Sequence, residues 1–268
     1  MSESAERIQK HYNNDNPRDS RLWSQTYLLF LTDVTAVFDG FTALDIKALG
    51  FKHNELRVII GPNGAGKTTL CDVVSGKTPP TTGAVYFNDS EITHLTETQI
   101  AQIGIRRKFQ TPSVFGSLTT YENMELSLAG PETLWGNLRR QVTPEERDRI
   151  LSLMEDVRLI DQLYTKAKYL SHGQRQWLAI GTLILANPKL LLIDEPAAGL
   201  TDSETELTAE LLSSLKENHT LIVIEHDMDF VSQLDSKVTV LNEGKIMDEG
   251  RLEDVKKNRE VIEAYLGR

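Results

Sequence analysis

Residues 56–69 read LRVIIGPNGAGKTT. Leu56 to Ile60 has the length and apolar content of a buried strand. It stops at Gly61, and the Gly-rich run to Gly66 opens an expected helix at Lys67. The eight residues Gly61, Pro62, Asn63, Gly64, Ala65, Gly66, Lys67 and Thr68 satisfy G-x-x-x-x-G-K-[ST] without a gap. Strand, loop, lysine and helix agree on a loop that wraps a phosphate chain. The glycines let the backbone turn its N–H groups inward, and the helix N-terminus adds unpaired donors and partial positive charge. Lys67 supplies a full charge for the β- and γ-phosphates. The Thr68 hydroxyl is placed to ligate Mg²⁺, with Thr69 beside it in the first helical turn.

A second stretch carries complementary chemistry. Residues 189–195 read KLLLIDE, an apolar run closed by two carboxylates. In an open α/β sheet, ligands sit beyond the carboxyl ends of the strands, and successive side chains on a strand point in different directions. One carboxylate can hold a metal ion while the other addresses water. Asp194 is accordingly assigned to Mg²⁺ and Glu195 to the role of general base.

Outward from these stretches, strands are expected over residues 27–37, 84–87 and 220–224, with a hairpin pairing 237–241 and 245–248. Phe38 to Phe41 reads as a turn. Helices are expected over 119–128 (Thr119 as N-cap, Glu122 three residues on), from Pro144 to about Val157, and over 173–186, 203–216 and 260–266. Apolar strands alternating with helices predict an α/β fold with a mostly parallel core sheet flanked by helices. A helical stretch, about 112–185, is inserted in it. The folded domain is expected over 26–268, and the polar residues 1–25 are expected to be a flexible extension.

Composition narrows the classes. The chain has 268 residues, enough to bury a core without disulfide or metal staples, and a formal net charge of −10. That acidic balance argues against nucleic acid as the main partner. The single cysteine, Cys71, excludes a disulfide framework within the chain and is read as inert packing. No run of 18 apolar residues and no apolar signal segment is present, so the expectation is a soluble cytosolic protein. The Asn-x-Ser/Thr matches at Asn88 and Asn218 are then chance.

These motifs resemble the ATP-binding cassette family, and the resemblance runs from about Tyr27 to Arg268. Leu170-Ser171-His172-Gly173-Gln174 is similar to the family signature, twenty residues before Asp194. Gln110 in RRKFQTP resembles the glutamine at the entrance to the helical insertion, and residues 198–202 (AGLTD) resemble the loop after the acidic strand. His226 in VIEHDMDFV resembles the switch histidine, and Phe38 the aromatic that stacks on adenine. The resemblance implies a P-loop NTPase fold with an added antiparallel β subdomain. It also implies ATP and Mg²⁺ as ligands, with Gln110 sensing the metal or the attacking water. Ser171, His172, Gly173, Gln174 and Asp202 would face nucleotide bound to a partner subunit. The family usually has glycine where this chain has His172, so that side chain must turn away from phosphate or add a bond to it.

Finer pieces resemble importers. The loop TPSVFGSLTTYENMELSL and the terminal VIEAYLG are similar to importers of branched-chain amino acids. LSHGQRQWLAIG, PAAGLTDSET, VIEHDMDFV and VFDGFTAL are similar to the urea branch. The implied protein is the ATP-hydrolysing subunit of a urea importer. The alternatives are the same role for branched-chain amino acids, or a soluble ATPase uncoupled from transport. The implied partners are a second ATPase subunit, favoured as a different chain, two transmembrane permeases and, indirectly, a solute-binding protein. The implied place is the cytoplasmic face of the membrane.

Overall fold

The computed structural model describes residues 26–108, 114–128 and 142–266. Gln110 and residues 1–25 lie outside the described residues.

Two sheets form the frame. Strands β1 (Leu29–Phe38), β2 (Phe41–Phe51), β4 (Thr82–Phe87) and β5 (Ser90–Glu91) make an antiparallel sheet in the order β2-β1-β4-β5. Strands β3 (Leu56–Ile60), β6 (Ile105–Lys108), β7 (Leu190–Asp194), β8 (Thr220–Ile224), β9 (Lys237–Asn242) and β10 (Lys245–Arg251) make the second, in the order β10-β9-β3-β8-β7-β6. All its pairings are parallel except the edge hairpin β9–β10. The helices are α1 (Lys67–Val74), α2 (Glu97–Gln102), α3 (Thr120–Leu128), α4 (Pro144–Asp156), α5 (His172–Leu185), α6 (Asp202–Leu215), α7 (Met228–Gln233), α8 (Leu252–Val255) and α9 (Arg259–Leu266).

Alternation along the buried strands divides the core. Leu191 and Ile193 of β7, with Leu221 and Val223 of β8, join the cluster that contains the helices between β6 and β7. Leu190 and Leu192, with Ile222 and Ile224, face α1 and the antiparallel sheet. A strand covered on both faces carries apolar residues at both parities, which is why LLLI and TLIVI lack a polar alternation. Among the inserted helices, Met124, Ile150, Met154, Trp177 and Ile180 share one core.

Helix starts follow side-chain chemistry. Thr96 with Gln99, Thr143 with Glu146, Ser171 with Gln174 and Thr201 with Glu204 form reciprocal capping boxes. Thr119 and Glu122 exchange the same bonds ahead of α3. Each pair satisfies two backbone donors that a helix start leaves open.

The structure adds elements to the expected set and corrects boundaries. β1 begins at Leu29 rather than Tyr27. The turn at Asp39 (φ 47) and Gly40 (φ 82) reverses the chain into an eleven-residue strand, β2, that the sequence reading did not foresee. Two consecutive positive-φ residues form the tight hairpin turn whose twist suits paired strands, and Phe38 faces Phe41 across it. The strand β6, with sequence IRRK, and the short helices α2 and α7 were also unforeseen.

Candidate active site

Parallel register brings the chemistry to one edge. Ile59 pairs with Ile224, and Ile224 with Asp194. The residues just beyond β3, β8 and β7 therefore emerge side by side: the phosphate loop, Glu225-His226, and Glu195. β6 ends at the same edge, with Lys108 beside Ile193.

The phosphate loop is held from behind. A Cβ on Gly61 would lie 2.2 Å from the Leu241 carbonyl oxygen. Gly66 has φ +101 and backs onto the Ala43 carbonyl, so a side chain there is excluded twice. Gly66 is also the N-cap of α1 and offers no side-chain cap. The first-turn donors at Lys67, Thr68 and Thr69 are thus left to a ligand rather than to the chain's own cap, which suits an anion. The Lys67 ammonium donates to the carbonyls of Gly61 at 2.6 Å and Pro62 at 3.0 Å. Burial lowers its pKa, against the attraction of Glu195, Asp194 and Glu225. Pro62, Asn63, Gly64 and Ala65 complete the loop, closed by a 3.1 Å bond from Ala65 N to the Pro62 carbonyl.

Asp194 is buried, and its pKa is raised chiefly by that burial, with Arg107 acting in the opposite sense. Arg107 on β6 lies 3.6 Å from Asp194 Oδ2 and also pairs with Asp72 on α1. Beside it, Lys108 is buried, and that burial pushes its pKa down to about 8 despite nearby Asp194, Glu225 and Glu195.

Glu195 has a left-handed backbone, φ 46, an uncommon conformation for a side chain of this kind. It is fixed by the bond from Glu195 N to the Ile224 carbonyl, 2.9 Å, and by the turn that returns Ala198 N to the Glu195 carbonyl, 3.3 Å. Strain of this sort persists where surrounding structure over-determines it, and it clusters at active sites. His226 Nδ1 lies 3.6 Å from Glu195 Oε1, and both side chains reach solvent. Lys67, Asp194, Glu195 and His226 are thereby gathered around one edge.

The signature residues pack against the loop after β7 and the start of α6. Ser171 caps α5 and its hydroxyl donates to Glu204 Oε1 at 2.9 Å. Gly173 leaves room for that carboxylate, since a Cβ there would lie 2.5 Å from Glu204 Oε1. The His172 ring turns to the same loop, with Nε2 3.2 Å from the Ala198 carbonyl. Gln174 is taken up in the capping box, and Asp202 opens α6. Phe38 is 44% exposed at the β1–β2 turn, and Phe41 opposite it is 65% exposed, so two aromatics rather than one stand free there.

The sequence reading passed over Arg107, Lys108, Glu204 and Glu225. Only Glu225 carried a local signal, an acid at the end of an apolar strand next to His226. The other three acquire meaning from partners on distant segments. Cys71 is buried, its thiol pushed up to about 12, in agreement with inert packing.

Residues 44–198 match the family model described as ABC transporter. The chain belongs to the ABC transporter family. It is an ATP-binding cassette, an ATPase coupled to transport. The chain is 33% identical over 251 residues to the high-affinity branched-chain amino acid transport ATP-binding protein LivG of Salmonella typhimurium, covering 90% of this chain and 98% of that one. Among solved structures it is similar to an ATP-binding cassette of an ABC transporter in its ADP conformation, with a TM-score of 0.80 and 30% identity over 90% of this chain and 99% of the other. It is also similar to a dimeric cassette in a post-hydrolysis state bound to ADP and Pi, with a TM-score of 0.70 and 28% identity over 84% and 98% of the two chains. No described helix of this chain is long and apolar enough to cross a membrane.

Proposed function

We propose that this cassette energises uptake of branched-chain amino acids, seated on the cytoplasmic face of the membrane beneath two permease subunits. The observation that carries the solute is the near full-length likeness to an amino-acid importer ATPase. Urea, favoured by the short pieces around His172 and His226, is the second reading, and the named relatives support the amino-acid alternative better. A nucleotide-binding subunit does not touch the solute, so its own site cannot select between them.

The family resemblance and the geometry of the described residues support the following catalytic roles. ATP would lie along residues 61–69 with its phosphates on the open N-terminus of α1, and Lys67 would leave the Gly61 and Pro62 carbonyls for phosphate oxygens. Phe38 would stack on adenine. The oxygen donors Thr68 and Asp194, with Gln110, fit Mg²⁺, a hard ion that takes few protein ligands and completes its shell with phosphate and water. Mg²⁺ bound there would draw charge from the phosphates. Glu195 would accept the proton of the attacking water, and His226 would hold Glu195 and the γ-phosphate in line. Ser171 and Gly173 make their contacts with Glu204 rather than with residues 61–69, and the family resemblance supports their completing the site of a second subunit.

A cavity of ≈ 910 Å³ lies between α2, β6 and the inserted helices, lined by Ile100, Arg106, Leu128, Arg149 and Leu183 among others. We assign it to a permease segment, so that closure of two cassettes around ATP moves the membrane subunits. The test is uptake of labelled leucine and labelled urea, at low concentration, by source cells carrying Glu195→Gln. Loss of leucine uptake alone supports the proposal. Loss of urea uptake alone moves the protein to the urea branch, and loss of neither removes the transport role for both solutes.

A further inference from the structure

The most thoroughly bonded acid at this edge has no part in the roles above. Glu225 follows the last residue of β8 and is 1% exposed. Its Oε1 accepts the backbone N–H of Ala197 at 3.1 Å. Its Oε2 accepts the N–H groups of His226 at 2.8 Å and Asp227 at 3.2 Å. Its own N–H is donated to the Ile59 carbonyl, at 3.2 Å, on the strand that feeds the phosphate loop.

We infer that Glu225 is a positioning residue for ATP hydrolysis: one buried carboxylate fastens the loop that follows Glu195 to the loop that carries His226. The inference rests on the proposed roles of those two side chains. Ala197 lies inside the turn that holds Glu195 at positive φ, so the Oε1 bond fixes the backbone that aims the base. The Oε2 bonds fix the first two residues beyond β8. Asp227 passes the constraint on, since its Oδ1 accepts from Asp229 N and Phe230 N at the start of α7. The outcome is the 3.6 Å approach of His226 Nδ1 to Glu195 Oε1, with Glu225 Oε2 also 3.6 Å from the same nitrogen.

The site needs a carboxylate. Three donors converge on two oxygens, and an ionised carboxylate is acceptor-only. Bonds from backbone N–H groups to a carboxylate are stronger than those between neutral partners. An amide at this position offers one oxygen and sets its own N–H₂ against backbone N–H groups. The loops would then lose their common anchor, while the phosphate loop, formed by residues 61–69, keeps its own bonds. The consequence falls on turnover rather than on nucleotide binding, because the group acts on alignment of the reacting residues.

The experiment compares wild type, Glu195→Gln, Glu225→Gln and Glu225→Ala, each as the full chain in its transporter complex. It measures kcat and KM for ATP and the thermal midpoint. Glu225→Gln should lower kcat about tenfold or more, with KM for ATP within about twofold and cooperative unfolding retained. Wild-type kcat in Glu225→Gln overturns the inference, provided Glu195→Gln is inactive. A parallel rise in KM and loss of cooperative unfolding overturns it in favour of a plain structural role. Normal turnover in Glu195→Gln removes the underlying assignment of the base and the inference with it. If Glu225→Gln does not fold, amide exchange in the wild-type chain decides. Protection of the Ala197, His226 and Asp227 amides, all on loops, supports the clamp, and free exchange overturns it.

Discussion

The Ser171 hydroxyl donates to Glu204 Oε1 at 2.9 Å, joining the start of α5 to the first turn of α6. Glu204 also receives the Thr201 N–H on its other oxygen at 3.1 Å, and that bond and the Ser171 hydroxyl hold its carboxyl below the usual range. Gly173 is the residue that permits this approach. Gly173→Ala would bring a methyl to 2.5 Å from Glu204 Oε1, forcing the carboxylate away from Ser171. The expected result is ATP turnover in the assembled transporter reduced by about tenfold or more. ATP affinity of the isolated chain should be unchanged, because neither Ser171 nor Glu204 belongs to the phosphate loop. Equal weakening of ATP binding to the isolated chain would contradict that separation.

Glu195→Gln keeps the size of the side chain and removes the proton acceptor. Turnover should fall at least ~100-fold, as for loss of a general base, while Mg-ATP binding is retained. A filter-binding or fluorescent-nucleotide assay beside steady-state ATPase reads both. Near-normal turnover would remove Glu195 from the base role.

Much of this edge was legible because its residues are contiguous. Gly61 to Thr68 is one uninterrupted run of sequence, and Asp194-Glu195 closes one apolar run, so spacing alone announced them. Arg107 was not legible, because its meaning lies in Asp72 on α1 and Asp194 on β7, brought to it only by sheet order. Nor was β6: a strand reading IRRK has no apolar run, and it is held at the sheet edge by parallel pairing with β7. The strand β2 was hidden for another reason. Its buried positions alternate only as far as Ile46, and then three successive residues, Leu49, Gly50 and Phe51, are all enclosed. The signature motif was legible as a sequence, but its tie to Glu204 joins residues 33 positions apart.

Lys108 supplies a pH dependence. Its folded pKa, about 8, lies below the ordinary lysine value of 10.5 because burial penalises the ammonium. Below pH 8 both folded and unfolded chains carry the proton, and the folded state bears the full cost, on the order of 3 kcal/mol. Between pH 8 and 10.5 the unfolded chain holds more protons than the folded one, so stability rises with pH. Lys108→Met, of similar volume, should therefore stabilise the nucleotide-free chain at pH 7, with the gain shrinking towards zero near pH 10.5. Urea denaturation at pH 7 and pH 10 measures it. A gain that is the same at both values would show that packing, not charge, separates the two chains.

His172 stands where the family usually has glycine, and its ring answers the question that substitution raised. Nε2 is 3.2 Å from the Ala198 carbonyl, and a Cβ on Gly199, itself at φ +72, would lie 3.6 Å from the same nitrogen. The imidazole therefore braces the turn that follows Glu195. A ring that bound phosphate directly would be one of the few charge-stabilising donors in the site, and losing such a donor costs about 100-fold or more in turnover. A ring that braces a loop already tied by Glu225 costs far less. His172→Gly should accordingly retain turnover within about threefold of wild type, and any deficit should appear in kcat without a change in KM for ATP. A 100-fold loss in this variant would place the imidazole on the phosphate of the partner subunit's nucleotide.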